Sequence, residues 1–278
     1  MFKKIGRLLY LYAKMDLLWL LRDTKSSILV IVSDLIGTFA GLSGIILLSV
    51  KFNGIGGMSS NQVLFMLGYA TCIDGVFSLF FGMVNTGYIS RVIGRGQLDH
   101  MLIQPVPLPV QLATSGFIPF TCNSLLLCGL GLLGWSAAKL GMWDNTTWIP
   151  WFFVNLFSSV LVILAVSYIA GSSAFYAPVA AEEISSSAIS FFSEIKRFPI
   201  GGLTQPMQIV LCTVLPAGLV AWFPASTILH LSTAGLPVYF LILFSLFIST
   251  IAAFIFKRGL KYYAKYGSVR YSDHGHRR

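Results

Sequence analysis

The chain has 278 residues, 56% of them hydrophobic, 14% aromatic and only 10% charged, where a soluble domain carries about 25% charged residues. With a mean hydropathy of +0.79, so few charges cannot cover one or two soluble domains, and neither a disordered chain nor a nucleic-acid-binding globule fits. The net charge of +9 therefore poses one question: which face of a bilayer it marks.

The N-terminal segment, 1–26, is not a signal peptide, because Lys14 and Asp16 interrupt its apolar residues and no small-residue cleavage site follows. Wound as a helix, it sets Ile5, Leu8, Leu9, Tyr12 and Trp19 on one face and Lys3, Arg7 and Lys14 on the other. This predicts an interfacial amphipathic helix on the inner leaflet, its basic side meeting anionic headgroups. A first span covers 28–50 and carries Asp34 about a turn and a half from its inner end. The same span holds Gly37, Gly41 and Gly44, small residues that let backbones approach, within the chain or across a dimer. The second span, 63–88, has Asp74 near its middle. A central Asp costs about 2.5–3.5 kcal/mol on insertion scales, so it must face the bundle, a partner subunit or a water-filled cavity. It serves either a substrate route or subunit seam, or an inter-helix hydrogen bond with Ser, Thr or Asn.

The loop after it runs Gly96-Gln97-Leu98-Asp99-His100-Met101-Leu102-Ile103-Gln104-Pro105. Gly96 releases the preceding helix and Pro105 stops the next. Between them, Leu98, Met101 and Leu102 share one helical face, which is either an apolar knob suited to a groove on a cytosolic partner or part of an ordinary loop. The third and fourth spans cover 110–138 and 151–176, with Trp135, Trp143, Trp148 and Trp151 forming an aromatic belt at their outer ends. Next, Ile184, Ala188, Phe191 and Ile195 repeat at helical spacing beside Glu182, Glu183 and Glu194. They predict a second amphipathic helix at the inner surface, with Lys196 and Arg197 in a cytoplasmic loop.

Pro199, Pro206, Pro216 and Pro224 then recur at short intervals and forbid one smooth helix. They predict a short fifth span over 206–222, a break at Pro216 and a re-entrant hairpin through Phe223 and Pro224. Freed backbone at such breaks must be buried in protein or line water, so Asp74, Gly37, Gly41, Pro216, Phe223 and Pro224 form the candidate pathway or dimer seam. The sixth span is 236–256, and 257–278 is a cytoplasmic tail.

The expected fold is thus an all-α membrane protein: a single transmembrane domain, 1–278, of six transmembrane helices. With both termini inside, 17 of the 19 Lys and Arg fall on the inner side and only Lys51 and Lys139 outside, as the positive-inside rule requires. The outer loops are too short to hold a domain. Asn145-Thr146-Thr147 matches a glycosylation acceptor only weakly. No catalytic set is visible. His100, His230, His274 and His276 lack a partner at metal-ligand spacing, and Asp273 with the two tail histidines reads as a solvated tail. The four cysteines, Cys72, Cys122, Cys128 and Cys212, lie in apolar stretches with no disulfide framework. No phosphate-binding loop occurs, so any ATP used would sit on another chain.

Gly96-Gln97-Leu98-Asp99, then Met101-Leu102 and Gln104-Pro105, resembles the Gly-Glu-Leu-Asp-Tyr-Tyr-Leu-Leu-Arg-Pro loop of type-2 ATP-binding-cassette (ABC) permeases of a small six-span bacterial exporter subgroup. Arg197-Phe198-Pro199, Leu215-Pro216 and Phe223-Pro224-Ala225 resemble that subgroup's second signature. Gln97 stands where Glu is usual, His100 where the first Tyr is usual, and Gln104 where Arg is usual, so a specific ion pair with a partner is not carried over. The resemblance implies a coupling role for Gly96, Gln97, Leu98, Asp99, His100, Met101 and Leu102. It also implies a dimer with a second copy or a paralogue, and a separate cytosolic ATPase that binds ATP and Mg. The subgroup exports drugs, peptides or lipids from the bacterial inner membrane. A secondary active transporter is the alternative, but it calls for more spans, inverted repeats and several intramembrane charges. An intramembrane enzyme would need paired catalytic residues, and a structural subunit would not need the cytosolic knob.

Overall fold

The computed structural model describes residues 2–81, 88–94, 96–114, 116–120, 124–177 and 180–267. Its described residues form helices joined by turns and loops, with no strand among them. Twelve α-helices follow in order: α1 Phe2–Arg22, α2 Thr24–Lys51, α3 Ser60–Phe81, α4 Tyr88–Gly94, α5 Gln97–Leu102, α6 Leu108–Thr114, α7 Ser124–Lys139, α8 Trp148–Gly171, α9 Ala181–Ile195, α10 Gln205–Thr213, α11 Trp222–Ile228 and α12 Phe240–Tyr266.

Four of these, α2, α3, the α8 run to Phe175, and α12, are long and apolar enough to cross a membrane. α3 is the central one, with Val63, Phe65, Met66, Leu67, Cys72 and Ile73 fully buried. α7 lies antiparallel against it at very close range. A Cβ on Gly68 would stand 2.7 Å from the Leu133 backbone, one on Gly75 2.5 Å from Leu126, and one on Gly129 2.5 Å from Cys72. Tyr69 and Phe152 meet edge to face, and the Tyr69 and Ser159 hydroxyls share a hydrogen bond of 3.1 Å, joining α3 to α8. α2 and α12 leave most of their apolar flank outward, with Phe39, Leu47, Phe247 and Phe254 more than 60% exposed.

Several expected elements come out differently. The segment 110–138 is not one helix: α6 ends at Thr114 and α7 begins at Ser124. Gly116 and Pro119 break it, and the bend is braced from both sides. Ile118 N–H donates to the Leu79 carbonyl at 3.1 Å, and Phe120 N–H donates to Asp16 at 2.7 Å. That contact also explains why Asp16 lies on the packed side of α1, where it is 8% exposed, while Trp19 is 45% exposed instead of sharing the packed face. α2 starts at Thr24 rather than 28, because Asp23 caps it by accepting the Ser26 N–H at 3.2 Å. The Ser26 hydroxyl and amide hold the Asp23 carboxyl below the usual carboxylate range. The second span ends at Phe81. The rest of 63–88 up to Asn85-Thr86-Gly87, together with Arg95, Cys122 and the tail positions Asp273, His274 and His276, lies outside the described residues.

The largest differences concern 181–228. The row Ile184, Ala188 and Phe191 faces outward, while Ala181, Ser185 and Phe192 are buried along with Lys196. The outward side also carries Glu183, Ser186, Ser187, Ser190 and Glu194, so the helix is amphipathic, with its apolar row turned away from the bundle. α9 begins beside α4, where the Ser185 and Ser90 hydroxyls bond at 2.6 Å. It is about 22 Å long. The chain just beyond it reaches the loop joining α2 to α3, where a Cβ on Gly56 would stand 2.5 Å from the Pro199 carbonyl and one on Gly201 2.4 Å from the Gly56 carbonyl. The range 206–222 is not a single helix. α10 has nine residues, or about 14 Å, turns occupy 214–221, and α11 doubles back. Gln205 Nε2 donates to the Ala234 carbonyl at 3.4 Å, so the two ends of this excursion lie together.

Candidate functional site

Two places collect the polar chemistry: a charged cavity inside the bundle and the α4–α5 corner at one end. The cavity arises because Asp74 projects from α3 toward the chain that leaves α9. Lys196, 3% exposed, donates from Nζ to Asp74 Oδ1 in direct contact, and Arg197 Nη2 stands 3.5 Å from Asp74 Oδ2. Burial of a lone carboxylate or ammonium is costly, and pairing offsets it. One carboxylate here serves two cations. Asp74 therefore does not make the hydrogen bond to Ser, Thr or Asn considered above. The charged pair has a readable cue, two adjacent cations before a proline in a chain with an unpaired mid-span acid, but spacing alone does not reveal it.

The pair borders a cavity of about 210 Å³ whose floor is one face of α2. Asp34, Gly37, Thr38 and Gly41 on that face follow the i, i+3, i+4, i+7 spacing of a single helical stripe. Asp34 Oδ2 accepts the Ser124 hydroxyl at 2.9 Å. An added Cβ would meet nothing within 4 Å at Gly37 or Gly44, and at Gly41 only Arg197 Nη1 at 3.5 Å. Packing within the described chain therefore does not account for these glycines. Asp74, Gly37 and Gly41 thus come together, whereas Pro216, Phe223 and Pro224 do not join them. Those three are buried, with Phe223 fully enclosed in the main core beside Trp222, Leu219 and Ala217.

At the corner, Gly96 adopts φ +70°, which favours glycine and lets α5 turn away from α4. Leu98 does not project. It is fully buried with Ile89, Ile93, Leu112, Phe175 and Tyr263, and Met101 packs partly against them. The outward surface instead carries Gln97, Asp99, His100, Leu102 at 45% and Ile103 at 80% exposure. α5 is fastened from two sides, and a third contact ties the neighbouring α4 to α9. Tyr263 OH on α12 donates to Asp99 Oδ1 at 2.9 Å. Gln111 Nε2 on α6 donates to the Met101 and Val106 carbonyls at 2.8 and 2.6 Å. Arg91 Nε on α4 donates to Glu182 Oε1 on α9 at 2.5 Å.

No three His, Cys, Asp or Glu side chains among the described residues are grouped to hold a metal, and Cys72, Cys128 and Cys212 are free thiols. Several helices long and apolar enough to cross a membrane, packed beside a charged cavity, define a polytopic membrane protein. The chain belongs to the ABC-2 family transporter proteins, whose family model matches residues 35–267. No curated protein and no solved structure is matched. Membership makes this chain a transport membrane subunit of an ABC system rather than the catalytic component.

Proposed function

We propose that this chain is the permease of an ABC exporter in a bacterial inner membrane. It moves a hydrophobic or amphiphilic substrate, a drug, peptide or lipid, out of the cytoplasm or inner leaflet. A separate cytosolic ATPase, which binds ATP and Mg, drives it, and a second copy or paralogue completes the pathway. The family match over 35–267 carries this reading.

In this reading the chain crosses the membrane six times with both termini cytoplasmic, and the fifth crossing is α9 continued to 202 rather than 206–222. Support comes from the apolar outward row of α9 and from its contacts: Glu182 with Arg91 at one end, Lys196 with Asp74 just past the helix's last residue, and Pro199 with Gly56 beyond it. α10, the turns and α11 then form a re-entrant hairpin on the outer side. The exposed flank of α2, with Gly37 and Gly41, is the seam toward the second subunit.

Coupling runs through the braced corner. α5 meets the ATPase through Gln97, His100, Leu102 and Ile103, with Gly96, Leu98, Asp99 and Met101 holding it in place. Because α4 is bonded to α9 through Arg91 and Ser90, a push on α5 reaches the end of α9, where Lys196 contacts Asp74. The test is reconstitution of the chain with a cytosolic ABC ATPase. The two should copurify, and hydrolysis should change on adding the permease. An ATPase that neither binds nor responds would refute the reading.

A further inference from the structure

The cavity beneath Asp74 contains charges of both signs that the bundle does not neutralise locally. At one end, Asp34 accepts the Ser124 hydroxyl through Oδ2, and no Lys, Arg or His among the described residues forms an ion pair with it. At the other end, Arg197 shares the single carboxylate of Asp74 with Lys196, leaving one positive charge in excess there. Arg197 Nη1 lies over Gly41, which is two helical turns beyond Asp34, or about 10 Å along α2. Gly37 between them presents no side chain, and the Thr38 and Thr71 side chains flank the gap.

A negative end, a bare floor and a positive end form a receptor for a dipolar group. Charge-assisted hydrogen bonds of about 2.8 Å at each end leave about 4–5 Å between the ligand's amine and its anion. The volume of about 210 Å³ lies below the range of about 300–1,000 Å³ that encloses whole drug-sized ligands, so it suits a headgroup and not a complete molecule. The stripe opens on the exposed flank of α2, where the adjoining row Val32, Ile36 and Ala40 is apolar and outward, so that an acyl chain can lie along the seam between the two subunits.

We propose that this cavity binds the headgroup of a zwitterionic amphiphile, with a primary ammonium on Asp34 and a phosphate or carboxylate on Arg197. This deepens the exporter reading by naming the substrate class, and it rests on that reading for its role in transport. The binding itself is tested without the ATPase, so that the two can fail separately.

The purified full-length chain in a neutral detergent is titrated with lysophosphatidylethanolamine and with an alkylammonium and an alkyl phosphate of matched chain length. The zwitterion should bind about tenfold tighter than either singly charged probe. Asp34→Asn should remove its advantage over the alkyl phosphate, and Arg197→Gln its advantage over the alkylammonium. Arg197→Lys should restore part of the latter, and melting curves in the absence of ligand verify that each variant is folded. Phosphoethanolamine without a chain is the further arm: competition by it assigns a soluble zwitterion, and competition only by the acylated form assigns a membrane lipid. Equal binding of the three probes to the unaltered chain, or an advantage that survives both charge-removing variants, overturns the proposal. If the preference holds while ATPase coupling fails, the exporter reading falls and the headgroup site stands.

Discussion

Lys196 and Asp74 show how one side chain fixes the depth of a whole segment. Lys196 is 3% exposed and its only described anionic contact is Asp74, which Arg197 shares. Removing one partner of a buried pair costs about 3–5 kcal/mol, whereas replacing both with apolar groups can be neutral. Asp74→Leu should therefore lower the melting temperature of the purified chain sharply and reduce its membrane yield, and Lys196→Met added to it should recover much of the loss. A double variant no more stable than Asp74→Leu alone would mean that the pair is not coupled. Asp74 is legible in the sequence as a residue that needs a partner. Its partners are not legible, because Lys196 and Arg197 fit a cytoplasmic loop equally well by the count of basic residues. Leu98 is a similar case. Helical spacing groups it with Met101 and Leu102, but which way that face turns depends on Phe175, Ala181 and Tyr263 in distant stretches of chain. Leu98→Ala should cost about 2–5 kcal/mol of stability, in contrast with changes at the exposed Ile103.

Among the elements, α2, α3, α8 and α12 follow from length and apolar content. The proline-rich stretch is interrupted, and the interruption begins after Thr213, before Pro216. α9 escapes a hydropathy reading for a physical reason. Its inward row carries Ser185, which is satisfied by Ser90, and Lys196 follows it, satisfied by Asp74. These two polar groups are paired, and together with the exposed Glu183, Ser186, Ser187, Ser190 and Glu194 they lower the segment's mean hydropathy. The glycines divide in the same way between two roles. Gly75→Ala drives a Cβ to 2.5 Å from Leu126 backbone atoms, which cannot move aside as a flexible side chain can, so α3 and α7 must separate at a cost of about 1–3 kcal/mol. Gly37→Ala meets nothing within 4 Å, and its melting temperature should stay near that of the unaltered chain. A Gly37→Ala variant as destabilised as Gly75→Ala would show that α2 packs more tightly within the subunit than described. If melting is unchanged while crosslinking between subunits falls, the α2 flank is the seam.

For the whole molecule, exchanging the fifth crossing from 206–222 to 181–202 preserves an even number of crossings, so the basic termini stay on one side and the basic excess remains there. The two assignments differ in where Thr204 lies. It is cytoplasmic if 206–222 is the crossing and external if α9 is. A single cysteine at position 204, in a chain with its native thiols replaced, should react with a membrane-impermeant reagent added outside intact cells, while one at Gln104 should not. Labelling at 204 only after the membrane is opened would return the fifth crossing to 206–222.

In the proposed function the chain couples to a separate ATPase through the corner at α5. Leu102 and Ile103 are the apolar side chains exposed there, at 45% and 80%, and burying each in a groove stabilises a contact by about 1.5–3 kcal/mol, more than an exposed ion pair. The direct measurement is ATP hydrolysis by the ATPase in reconstituted membranes with the unaltered chain and with Leu102→Ser combined with Ile103→Ser. The variant should insert and melt normally, yet copurify less ATPase and lose the permease-dependent change in hydrolysis. Full coupling in this variant, with coupling abolished instead by a change at the exposed Glu183, would contradict the account.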